Sequence, residues 1–244
     1  MGAVPKMRAG VITIGSLFWS DHPSRTQWRS ERLREAESFR VRVPIRYGRK
    51  SQSRANTYTM VFSRLCLWKS HGLGTAHIIR IAREITDADD LIDEAEYLWA
   101  AERKSQSREE AISSSWGRVA LLANPVSDIP DQFFNRWAER ISREPQYGSC
   151  RHTLREGNVV SDDGRLRIPW PQELANNQLP FDLLLSTATS PTLTGHPPTY
   201  PRIRHIARAW NQAPREYASY FWNNRKNGIH TYQDERIIEY LDGA

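Results

Sequence analysis

Cysteine is almost missing from this chain: Cys66 and Cys150 are its only two, too few and too far apart for a disulfide framework or a thiolate metal site. A reducing, cytoplasmic setting is the simplest expectation. No apolar run approaches the ~20 residues needed to cross a bilayer, and the opening MGAVPKMRAG has no apolar segment with a small-residue cleavage site. Lys6 also breaks the myristoylation pattern, which requires Ser or Thr at that place. A Gly-x-Ser-x-Gly elbow, a Walker loop and a Rossmann fingerprint are all lacking. His77, His205 and His230 have no i, i+4 partner or nearby cysteine, so no metal site is expected. There is no internal repeat and no low-complexity stretch.

What is present describes a folded protein. A 39% hydrophobic and 25% charged composition over 244 residues suits a substantial core, as one domain carrying an insertion at about residues 126–179. The net charge of +6 comes largely from arginine, clustered from Arg25 to Arg54 and from Arg202 to Lys226. That balance favours acidic partners.

The β-branched run Val11-Ile12-Thr13-Ile14 reads as a buried strand that stops at Gly15-Ser16-Leu17, where glycine permits a tight turn and backbone amides can face a ligand. Arg29–Ala36 reads as a short charged helix or turn, and Phe39–Ile45 as a half-buried strand in which Pro44 marks an edge or bulge. Tyr47–Arg54 reads as a polar loop. Asn56–Ser63, Gly74–Ile81, Val119–Ala123 and Phe181–Ala188 read as strands. Thr86-Asp87-Ala88-Asp89 offers a helix start, with the helix continuing from Asp90 to about Arg103 on an apolar face of Leu91, Ile92, Ala95, Leu98 and Trp99. A helix bearing Phe133, Phe134, Trp137 and Ile141 lies in the insertion, and three helices close the chain from about Tyr200, Pro214 and Thr231.

This order of elements resembles the gamma-glutamylcyclotransferase family. Gly15-Ser16-Leu17 stands where that family has a Tyr-Gly-Ser or Tyr-Gly-Thr loop, and Gly74–Ile79 where it has a Gly-Val-Val-Trp strand. Leu91-Ile92-Asp93-Glu94-Ala95-Glu96 is similar to its Leu-Asp-x-x-Glu segment, Pro198–Ile203 to its Pro-x-Tyr-x-x-Ile, and Ala213–Tyr217 to its Leu-Pro-x-x-Tyr. Two positions depart from the pattern: Ile14 replaces the loop tyrosine, and Tyr97 replaces the glycine after the glutamate. The resemblance implies an α+β protein with a small mixed β-barrel core flanked by helices and an inserted subdomain. It also implies cofactor-free cleavage of a γ-glutamyl amide by its own α-amine, releasing 5-oxoproline and an amine or peptide.

By that resemblance Glu96 is the catalytic acid and base. Helical geometry adds Glu102 as a competitor, because at about 100° per residue it points near the centre of the apolar stripe while Glu96 lies on its border. The ordinary roles are a solvated flank for Glu96 and a salt bridge near Arg103 or Lys104 for Glu102. Gly15, Ser16, Leu17 and Tyr200 are the expected substrate-binding residues, with core packing the ordinary role for Tyr200. Trp137, Trp170 and Phe133 in the insertion fit a larger substrate, a protein contact or packing onto the core. Two other functions fit the same residues: a catalytically inactive recognition module, and a nucleic-acid binder using Arg40, Arg42, Arg46, Arg49, Lys50 and Arg54 with Tyr47 and Tyr58 among them.

Overall fold

The computed structural model describes residues 6–68, 72–108, 110–147, 157–176 and 181–242. Cys150 and the parts of the expected insertion at 148–156 and 177–179 lie outside them. The strands β1 (Ala9–Thr13), β2 (Leu33–Val43), β5 (Gly74–Ile81), β6 (Ser113–Ser114), β7 (Gly117–Ala123) and β8 (Leu183–Thr189) form a six-stranded sheet, and β3 (Ile45–Ser51) and β4 (Thr57–Phe62) form a separate hairpin. The sheet order is β2-β5-β1-β8-β7-β6, with every neighbour antiparallel except β1 and β8. Central placement explains why β1 is buried along its whole length and reads as an unbroken apolar run.

The expected barrel does not close. Pro44 separates β2 from β3, and having no N–H it cannot continue the ladder. The chain therefore leaves the sheet there and starts the hairpin, which packs across β5 and β8 instead of joining the edges. The architecture is α+β with an open mixed sheet.

Among the described residues, eight α-helices surround these strands: α1 (Ser16–Trp19), α2 (Pro23–Arg32), α3 (Ala88–Arg103), α4 (Asp131–Ser142), α5 (Gln172–Asn176), α6 (Ile203–Asn211), α7 (Arg215–Lys226) and α8 (Asp234–Asp242). The α3 start follows from its cap. The Asp87 carboxylate accepts the Asp90 N–H at 2.9 Å, and the Asp90 carboxylate accepts the Thr86 N–H and hydroxyl. Its stop is Lys104, left-handed at φ +62°, whose N–H donates to the Ala101 carbonyl. Glu102 is thereby held in the last turn.

Two expected elements differ. The charged helix is Pro23–Arg32, and Leu33 already belongs to β2; a proline at the first helical position sets the helix start. Tyr47–Ser51 is strand, not loop. Its alternation is hidden because Arg46 is buried, its guanidinium 4.1 Å over the Tyr200 ring. Trp137 and Phe133 are buried in the core cluster, which accounts for the aromatic content of α4. No helix among the described residues is long and apolar enough to cross a membrane.

Candidate functional site

The parallel strands β1 and β8 both end at the same edge of the sheet, and the ends of parallel strands in open sheets are where crevices form. A cavity of about 370 Å³ lies there, lined by Ile14, Ser16 and Leu17 after β1, Thr187 and Thr189 of β8, Arg49 of β3, Arg54, the α3 end from Glu102 to Lys104, Trp116 and Tyr220. Among the described residues, Arg25, Arg49, Arg54, Arg103 and Lys104 line this space together with the carboxylate of Glu102.

Arg25 builds the floor. Only 2% exposed, it donates from Nε to the Ala101 carbonyl at 3.1 Å and from Nη2 to the Glu102 carbonyl at 3.3 Å, with the Glu102 carboxylate 3.8 Å away. These bonds fall on carbonyls of the last turn of α3, that of Ala101, which also accepts the Lys104 N–H, and that of Glu102. From Nη1 it donates to Ser16 Oγ at 2.6 Å, and Arg54 Nη2 donates to the same oxygen at 2.8 Å. A hydroxyl has two lone pairs and one proton. With both lone pairs occupied, Ser16 is a hydrogen-bond donor rather than a nucleophile, and its proton has no acceptor among the described residues.

The local potential is positive. Burial, then the neighbouring Arg25 and Arg54, pull the Lys104 ammonium below its ordinary value. Burial pushes the Tyr220 phenol up, so it stays neutral, hydrogen-bonded to the Asn224 side chain and the Met60 backbone. The Arg54 guanidinium lies 4.8 Å over the Tyr220 ring.

Gly15 acts on the backbone. Its φ of +107° is open to glycine, and a Cβ there would lie 2.4 Å from the Tyr220 hydroxyl. It shapes the loop, whereas Ser16 and Leu17 line the cavity. The loop is anchored from the far side, since Trp19 Nε1 donates to Asn224 Oδ1 at 2.7 Å and the Phe18 ring stacks on His77 at 3.9 Å.

The other expected site residues lie elsewhere. Glu96 is buried in an ion cluster with Arg108 Nη2 at 2.5 Å and Arg140 Nη2 at 3.4 Å, and does not line the cavity. Tyr200 is buried between Arg46 and Gly48, also off the cavity. Glu102 does line it, and its ion-pair partner is Arg25 rather than Arg103 or Lys104. Arg25 itself had no readable signal as a site residue. The basic residues of the Arg40–Arg54 stretch are dispersed: Arg46 is buried, Arg40 packs against Gly228, and Arg49 and Arg54 reach the cavity. Among the described residues no cluster of His, Cys, Asp and Glu could hold a metal ion. Compared with protein-family models, with curated proteins and with solved structures, the chain matches none.

Proposed function

We propose that this pocket binds a γ-glutamyl amide and cyclises it to 5-oxoproline, with Glu102 as the group that moves protons. The observation that carries the reading is that Glu102 and the Ser16-Leu17 loop line one cavity whose other charged residues, among those described, are cationic. A γ-glutamyl end presents an α-carboxylate beside an α-ammonium. The Arg54 guanidinium and the Ser16 hydroxyl suit the carboxylate, and Glu102 suits the ammonium. The spacing agrees too: Leu98-Trp99-Ala100-Ala101-Glu102 repeats the Leu-to-Glu interval of the cyclotransferase segment one helical stretch later, with Trp99 in place of its Asp.

The reaction needs no outside nucleophile. Glu102 removes a proton from the α-ammonium, and the freed amine attacks the γ-carbonyl carbon of the same molecule. The new C–N bond closes the lactam as the bond to the departing amine breaks. Two protons pass from the α-nitrogen to the departing nitrogen, one at a time through the Glu102 carboxylate. The cationic wall, Arg25, Arg54 and Lys104, stabilises the oxyanion formed at the γ-carbonyl.

A screen of γ-glutamyl amines and peptides for 5-oxoproline release tests the reading, with Ser16→Ala beside the wild type. Release is expected from at least one substrate, and losing the Ser16 hydrogen bond to the substrate carboxylate lowers kcat/KM by roughly 10–100-fold. Binding of γ-glutamyl compounds without release would reduce the pocket to a recognition site. Absence of both binding and release would refute the reading.

A further inference from the structure

We infer that the cavity beside this pocket receives the departing amine and selects an amine that carries carboxylates, an acidic amino acid or acidic peptide; this rests on the γ-glutamyl reading above. The second cavity, about 640 Å³, shares Arg49, Ser53 and Trp116 with the first, so a substrate whose γ-glutamyl end sits at Ser16 and Glu102 continues into it. Among the described residues its charged lining is Arg49 and Lys50, with no carboxylate; Gln52, Asn56 and Thr192 add amide and hydroxyl groups, and Trp116 and Pro191 add apolar surface. Such a wall attracts carboxylates and repels a cationic side chain.

The wall is also fixed in place. The Lys50 N–H donates to Thr192 Oγ1 at 2.9 Å, and the Thr192 N–H donates to the Gly48 carbonyl at 2.8 Å. These bonds tie the backbone of β3 at Gly48 and Lys50 to the loop after β8. Trp116 argues against a nucleotide as occupant. Its ring stacks on Trp99 at 5.1 Å and carries the Arg49 guanidinium at 4.6 Å, so a nucleobase would have to displace one of them to stack.

The test compares kcat/KM for 5-oxoproline release from γ-glutamyl-glutamate, γ-glutamyl-alanine and γ-glutamyl-lysine, in the wild type, Lys50→Glu and Lys50→Met. Binding of the free dipeptide Glu-Glu and of a random oligonucleotide is measured alongside at low and high salt, and each variant's melting curve is recorded. Lys50 is exposed on an edge strand, so both variants are expected to fold. The wild type should prefer the acidic over the neutral amine by roughly tenfold, with the lysine compound poorest. The ratio should shrink towards one in Lys50→Met and invert in Lys50→Glu. Equal kcat/KM for all three amines, or a ratio unmoved in both variants, overturns the inference and leaves the γ-glutamyl reading intact. Salt-sensitive Glu-Glu binding lost in Lys50→Glu, without turnover of any substrate, supports the acid-selective cavity and refutes the reaction. Absence of both turnover and Glu-Glu binding overturns both, and oligonucleotide binding tighter than that of Glu-Glu overturns the choice of ligand.

Discussion

Replacing Gly15 by alanine probes the turn on which the pocket depends. Two costs can be worked from the geometry. At φ +107° and ψ −140° the backbone sits in a region open essentially to glycine alone, and placing an L-residue there costs about 1–3 kcal/mol. The new Cβ would also lie 2.4 Å from the Tyr220 hydroxyl and 3.3 Å from its ring carbon Cζ, so the phenol must move and leave its bonds to Asn224 and Met60. Buried groups deprived of their partners cost about 1–3 kcal/mol. Together the substitution should destabilise the protein by about 2–6 kcal/mol, a fall in Tm of roughly 4–24 °C for a chain of this size. Urea titration with a double-mutant cycle separates the two costs. In a Tyr220→Phe background the hydroxyl contact is gone, and the penalty for Gly15→Ala should shrink by about 1–2 kcal/mol while the backbone part remains. A Gly15→Ala protein within about 0.5 kcal/mol of wild type would refute the strained turn, and an unchanged penalty in the Tyr220→Phe background would refute the contact.

Two further perturbations test the remaining assignments. Glu96→Gln weakens a buried pair whose partner Arg108 is half-exposed, so the expected loss is about 1–3 kcal/mol of stability. Ligand affinity at the pocket should stay at the wild-type value, which calorimetry would check. His77 is held below the ordinary histidine range chiefly by burial, with Arg40 adding to this and the bond to the Asn227 carbonyl opposing it. As pH falls below 6.5, the unfolded chain takes up this proton before the folded one does, so stability is fully present above that value and is lost as the pH drops through the folded pKa. Urea midpoints at about pH 7.5 and 5.5 should therefore differ less in His77→Gln than in the wild type, and an equal difference in both would contradict the assignment.

The elements that sequence patterning conveyed are those whose burial is apolar. β1, β4 and β5 announce themselves by β-branched residues, β8 by its leucine run, and α3 by its Asp87 cap and its stripe from Leu91 to Trp99. The elements missed bury arginine. α2 turns Arg25, Trp28 and Arg29 inward, and β3 hides Arg46 beneath Tyr200, so apolar periodicity gives no sign of either. The pocket shows the same division. Helical geometry pointed Glu102 along the inward stripe, but its place as a carboxylate among cations depends on Arg25, 77 residues away in sequence from the carbonyl it binds. That contact is tertiary, and local pattern carries no record of it. Glu96 matched a motif by spacing, yet Arg108 and Arg140 draw it into an ion cluster.

The most direct test of the proposed chemistry is kcat for 5-oxoproline release in the wild type, Glu102→Gln and Glu96→Gln, each corrected for the folded fraction. Removing the carboxylate that moves the protons should lower kcat by roughly 10²–10⁴-fold in Glu102→Gln, while Glu96→Gln keeps the wild-type value. Wild-type kcat in Glu102→Gln, or a loss confined to Glu96→Gln, would contradict the assignment of proton transfer to the α3 end.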